Sequence, residues 1–89
     1  MDADAAVDET SPKFTYGEVI EGKIVMLNLE KGYGFILSDQ RRFKRFFFHW
    51  SALRPETTPF DELTLGDKVR FTEAYSPEKG PRAMQIEVI

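Results

Sequence analysis

Aromatic rings recur at every second position in two short stretches of this chain, Lys31-Gly32-Tyr33-Gly34-Phe35-Ile36 and Phe46-Phe47-Phe48-His49-Trp50. On a β-strand, side chains two apart point to the same face. Tyr33 and Phe35 therefore share one face of their strand, and Phe47 and His49 share one face of theirs. Paired, the two strands present a patch of flat rings with Lys31 beside it. Flat rings next to positive charge suit unpaired nucleobases, because every base has a π-face and every nucleotide carries a phosphate. The plainer account is an ordinary half-buried sheet face, since aromatic residues are common in strands. Against it stand the consecutive bulky residues from Phe46 to Trp50, which must populate both faces. Phe46 and Phe48 are assigned to the core with Gly34 and Ile36, and the alternate set is left exposed.

The elements that position these rings read as short strands. Residues 19–28 are apolar and β-branched enough for a first strand. Residues 29–32 turn it, with Gly32 able to take positive φ. Residues 33–37 make a second strand, 38–42 a polar loop and 43–49 a third strand dense in aromatics. One helical turn fits 51–53. Pro55 and Pro59 make 54–63 a long irregular loop. Residues 68–75 alternate as a fourth strand, with Val69 and Phe71 inward. Residues 76–81 form a turn cluster, and 82–89 a fifth strand with Ile86 and Val88 on one face. Short antiparallel strands in this number predict an all-β barrel, closed or nearly so, which removes exposed sheet edges. Residues 1–16 read as an acidic tail without periodicity, and 17–89 as the domain. Phe14 and Tyr16 are expected to pack at the domain edge.

Composition narrows the function classes. With 89 residues the chain holds one small domain. Hydrophobic residues make up 42% and charged residues 30%, the balance of a globular protein. No run approaches the ~18 apolar residues of a membrane span, and the start Met1-Asp2-Ala3-Asp4 is not a secretory signal. There are no cysteines, which excludes disulfides and thiolate metal sites and fits a cytoplasmic location. His49 has no second His or Cys to complete a metal site. No Gly-rich phosphate loop precedes a helix, and no carboxylate pair stands apart from scattered surface charge. Neither an enzyme, a cofactor nor a metal is expected.

The net charge of −3 argues mildly against nucleic acid. Its distribution argues the other way. Asp2, Asp4, Asp8 and Glu9 against Lys13 place all of the excess in residues 1–16, leaving 11 side chains of each sign in the rest. Within that neutral remainder Arg41, Arg42, Lys44 and Arg45 form a basic block that leads into the aromatic strand. The block reads as a phosphate contact or as a solvated loop.

Taken in order, these residues resemble the cold-shock domain family, small OB-fold proteins that bind single-stranded RNA and DNA. Lys31-Gly32-Tyr33-Gly34-Phe35-Ile36 resembles the family's first ribonucleoprotein motif, Lys-Gly-Phe-Gly-Phe-Ile. Phe46-Phe47-Phe48-His49-Trp50 resembles the second, Val-Phe-Val-His-Phe, and runs on into Ser51-Ala52-Leu53. Asn28 stands three residues before Lys31, as in the family. Gly66-Asp67-Lys68-Val69-Arg70-Phe71 resembles the fourth strand, and Lys79-Gly80-Pro81-Arg82-Ala83 the turn into the last. The resemblance covers roughly Gly22 to Val88.

The resemblance implies a five-stranded antiparallel OB-fold barrel with a role such as keeping RNA unfolded, as an RNA chaperone. The oligomeric state is open with a monomer expected, and no membrane partner is expected. Bases would stack on Tyr33, Phe35, Phe47, His49, Trp50 and Phe60, the last standing in for a ring the family carries in the long loop. Polar and phosphate contacts would come from Asn28, Lys31, Arg41, Arg42, Lys44, Arg45 and Lys79. Departures are visible. Where the family has Lys-Trp-Phe, this chain has Val25-Met26-Leu27, which removes two stacking rings and a phosphate-contacting Lys. The long loop is about two residues longer, and the loop before the third strand is unusually basic. The lost rings favour an alternative, an OB-fold domain whose aromatic patch docks a protein.

Overall fold

The computed structural model describes residues 14–42 and 44–89. Its strands are β1 (Thr15–Asn28), β2 (Tyr33–Leu37), β3 (Arg45–His49), β4 (Lys68–Ser76) and β5 (Gly80–Val88). They close into a barrel in the order β1-β2-β3-β5-β4. The connection from β3 to β4 carries two 3-10 turns, Trp50–Ala52 and Phe60–Glu62. Among the described residues no helix is long and apolar enough to cross a membrane.

The expected all-β barrel is present, with one difference in pairing. β1–β2, β2–β3, β1–β4 and β4–β5 are antiparallel, whereas β3 meets β5 in parallel at Phe47↔Arg82. The reason is arithmetic. Strand directions cannot alternate all the way around a ring with an odd number of members, so one neighbour pair must run parallel.

β1 begins at Thr15, earlier than the expected residue 19. Thr15 and Tyr16 pair with Tyr75 and Ala74, so the domain's sheet starts on the tail side of the boundary expected at residue 17. Composition hid this start, because residues 15–19 are all exposed and show no apolar alternation. A strand of 14 residues serves two neighbours because it bends. Register shifts fall between Tyr16 and Val19 and between Ile24 and Met26, as expected where a bulge turns a strand from one partner to the next. The third strand starts at Arg45; Phe43, the expected start, lies outside the described residues, as do residues 1–13 of the tail.

The core is built from Ile20, Ile24, Ile36, Phe46, Phe48, Leu63, Val69, Phe71, Ala83 and Ile86. Phe46, Phe48 and Phe71 are each no more than 1% exposed, and burying one such ring contributes about 1.5–3 kcal/mol. Gly34 makes room for them. A Cβ there would lie 2.5 Å from the Met26 carbonyl oxygen and 2.9 Å from the Phe48 ring.

One end of the barrel is tied by a buried carboxylate. Glu73 is 3% exposed. It accepts hydrogen bonds from Arg41 Nε (3.0 Å) and Nη2 (2.7 Å), the Glu18 backbone N–H (2.9 Å) and the Tyr75 hydroxyl (2.9 Å). Arg41 Nη2 also pairs with Glu18 at 3.0 Å. The cluster joins β1, the β2–β3 loop and β4. The Arg41 hydrogen bonds, above all, hold the Glu73 carboxyl at about 2, below its ordinary 4.5. A carboxyl lowered on folding contributes stability that is complete above its unfolded value and is lost as pH falls through the folded one. Thermal melting of the wild type should therefore fall between about pH 4.5 and pH 2, and Glu73→Gln should lose much of that dependence. Equal pH dependence in the two proteins would show that the cluster does not couple to folding.

Candidate nucleic-acid interface

Cross-strand partners share a face, so register settles which side chains point outward. β3 alternates, with Phe46 and Phe48 buried and Arg45, Phe47 and His49 at least partly exposed. β2 alternates in step: Gly34 and Ile36 are buried, and Tyr33, Phe35 and Leu37 face out. The ladder pairs Tyr33 with His49, Phe35 with Phe47 and Leu37 with Arg45. The rings touch. Tyr33 stacks on Phe47 with centroids 5.4 Å apart, and Phe35 meets Phe47 edge-on at 5.7 Å and Tyr33 at 6.3 Å. With the rings in direct contact, the patch is a continuous surface with no gap between its members.

Trp50 and His49 extend the patch past the end of β3, with centroids 5.4 Å apart. Trp50 is 55% exposed, and its backbone N–H donates to the Gly32 carbonyl at 2.9 Å. Gly32 has the expected positive φ, +79°, and a Cβ there would lie 2.6 Å from Trp50 Cδ1. The turn thus needs glycine twice, for its backbone and for the indole beside it. His49 Nδ1 accepts from the Ser51 backbone N–H (3.3 Å) and lies 2.8 Å from the Ser51 hydroxyl. In the tautomer whose Nδ1 accepts, the ring proton sits on Nε2.

The other expected site residues divide by position. Asn28 builds the turn: its Oδ1 accepts from the Lys31 N–H at 2.9 Å, and its Nδ2 reaches the Tyr33 hydroxyl at 3.5 Å. That leaves Lys31 exposed at the rim of the patch. Arg45 is exposed on the outer face of β3, in line with Phe47 and His49. Lys79 lies in the β4–β5 turn, where its N–H donates to Ser76 Oγ. Arg42 is exposed in the β2–β3 loop.

Phe60, Arg41 and Lys44 are elsewhere engaged. Phe60 packs edge-on against the buried Phe48 at 6.1 Å and belongs with the core, not with the outer rings. Arg41 is held by Glu73 and Glu18. Lys44 donates to the Tyr75 hydroxyl at 3.2 Å and lies 4.5 Å over that ring. Sequence spacing could not show these partners, because each lies more than ten positions away in the chain.

Register also separates the two positions at which rings are missing. Met26 pairs with Phe35 and shares its outer face, whereas Leu27 pairs with Gly34 and packs on the core. Met26 thus lies on the outer face and Leu27 against the core. One residue on the face was missed by the sequence reading. Arg82 pairs with Phe47 and sets its guanidinium 4.4 Å over that ring. The usable signal was alternation along β5, since Ala83 beside it is buried.

Comparison with known proteins agrees with this arrangement. The family described as the 'Cold-shock' DNA-binding domain matches residues 20–89. A cold shock-like protein of Thermotoga maritima is 37% identical over 70 residues, covering 79% of this chain and 98% of the relative. Cold shock protein 1 of Lactiplantibacillus plantarum is 37% identical over 65 residues, covering 73% of this chain and 91% of the relative. Among solved structures, drosophila Unr CSD456 superposes with a TM-score of 0.61 at 25% identity, over 100% of this chain and 31% of that longer one. The matched segment spans the ring-bearing strands and most of the barrel, and the chain belongs to the cold-shock domain family of nucleic-acid-binding domains.

Proposed function

We propose that this domain captures single-stranded RNA or DNA with little sequence preference, by stacking bases over Tyr33, Phe35, Phe47, His49 and Trp50. The observation that carries the reading is the contiguous outward ring set on β2 and β3, over an interior already filled by Phe46 and Phe48. Lys31 and Arg45, at opposite ends of the face, meet phosphates, with Arg42 and Lys79 contributing from the loops. Arg41 is left out, because Glu73 and Glu18 already neutralise it. Stacking contributes about 1–3 kcal/mol per base. Several bases held this way offset lost base pairing without ATP, which is how an RNA chaperone keeps a strand open.

A second reading, a protein-docking face, draws on the apolar side chains beside the rings. Val25 and Leu37 are 38% and 41% exposed near Met26. Titration with a pyrimidine-rich oligonucleotide separates the two, because Trp50 is the chain's single Trp and lies in the patch. Saturable quenching of its fluorescence is expected. No quenching at any strand concentration would favour docking of a protein.

Phe35→Ala should weaken that binding by about tenfold or more, with circular dichroism unchanged. Unchanged affinity in a folded variant would remove the ring face from the account.

Met26→Trp should restore an outward ring beside Phe35 and tighten binding by up to about one base's stacking energy, 1–3 kcal/mol. A lowered melting temperature with no gain in affinity would mean that Met26 faces the interior, where a larger ring overpacks.

A further inference from the structure

Arg82 sits at the opposite end of the row that has lost its ring. The row crosses the sheet as Met26, Phe35, Phe47 and Arg82, on β1, β2, β3 and β5. Met26 supplies no flat surface at one end. Arg82 supplies a planar cation at the other. Its guanidinium lies 4.4 Å from the Phe47 ring centroid and 5.8 Å from that of Phe14. Phe14 precedes the family-matched residues 20–89 and stands immediately before the early start of β1 at Thr15. The added β1 residues pair with β4 at Ala74, which in turn pairs with Arg82. This segment therefore delivers a ring to the β5 edge of the face.

Among the described residues the guanidinium is oriented by rings and has no anionic partner. Arg82 Nε is buried without a hydrogen-bond partner. Among the described residues no carboxylate pairs with Arg82, whereas Arg41, Arg54 and Arg70 all have acidic partners. An arginine held by ring contacts loses little freedom on binding and presents its donors in a fixed plane, the arrangement that suits a phosphate. We propose that Phe14 and Arg82 form an additional subsite for a backbone phosphate of the bound strand, at the β5 edge of the ring face. The subsite moves the strand's track from the β1 side, where the ring is absent, toward β5. It rests on the single-strand reading above and adds a contact outside the family-matched segment.

The test is affinity against salt concentration in the full chain, read by Trp50 fluorescence with short oligonucleotides of thymine, of cytosine and of mixed guanine and thymine. Each single-strand phosphate contact contributes about −0.7 to the slope of log affinity against log salt. Arg82→Gln should flatten the slope by about 0.7 and weaken all three strands by the same factor, while Arg82→Lys keeps most of the slope. An unchanged slope in a folded Arg82→Gln protein overturns the subsite. A loss confined to the guanine-containing strand also overturns it, because that would be reading of a base edge. If Arg82→Gln does not fold, Phe14→Ala decides: a uniform severalfold loss supports the subsite and unchanged affinity overturns it. Phe35→Ala runs beside these. A loss there with no effect at Arg82 defeats only the subsite, and no loss at Phe35 defeats the ring face itself.

Discussion

The inward packing of Phe46 and Phe48 sets everything else on the outer ring face. Side chains alternate along a strand, so two buried rings at alternate positions of β3 oblige Phe47 and His49 to face out. A slip of one residue would exchange the sets and drive His49 into an apolar interior. β2 is locked to the same phase, because Gly34 alone lets the Phe48 ring pass beneath it. The ring face is the remainder left by a core that could accept only half of the aromatics.

Most of this was legible in the residues. The alternation of Tyr33 and Phe35, and of Phe46 to Trp50, placed β2 as observed and most of β3, and it divided core from face correctly. Gly32 announced the turn, and Val69, Phe71 and Ile86 fall inside the barrel as their spacing implied. The start of β1 was not legible, since Thr15 to Val19 owe their strand to pairing with β4 and not to apolar alternation. Parallel closure of β3 on β5 is a property of the ring of strands, invisible in any one of them. The bulge at Val25 shifts the phase of β1, which is why Met26 and Leu27 could not be assigned to faces by counting.

Charge is where local reading was weakest. Arg41, Arg42, Lys44 and Arg45 look like one basic block, yet the fold uses them differently. Arg41 neutralises the buried Glu73, and Lys44 covers Tyr75, so both brace the barrel end. Breaking such a pair from one side leaves a buried charge without compensation, which makes Arg41 a structural residue first. Arg45 alone projects from a strand of the ring face. The cation that lies against the rings is Arg82, whose outward position was signalled only by the alternation along β5. Electrostatics of the face is thus decided by tertiary partners, whereas its shape is decided by strand periodicity.

The most direct test is a titration of isotopically labelled protein with oligothymidine, followed by the ring and backbone resonances of the outer face. Stacked bases shift ring protons strongly, so Tyr33, Phe35, Phe47, His49 and Trp50 should move together and saturate at one strand concentration, while Phe46, Phe48 and Phe71 stay in place. Shifts centred away from β2 and β3, with the outer rings unmoved at saturation, would contradict the account.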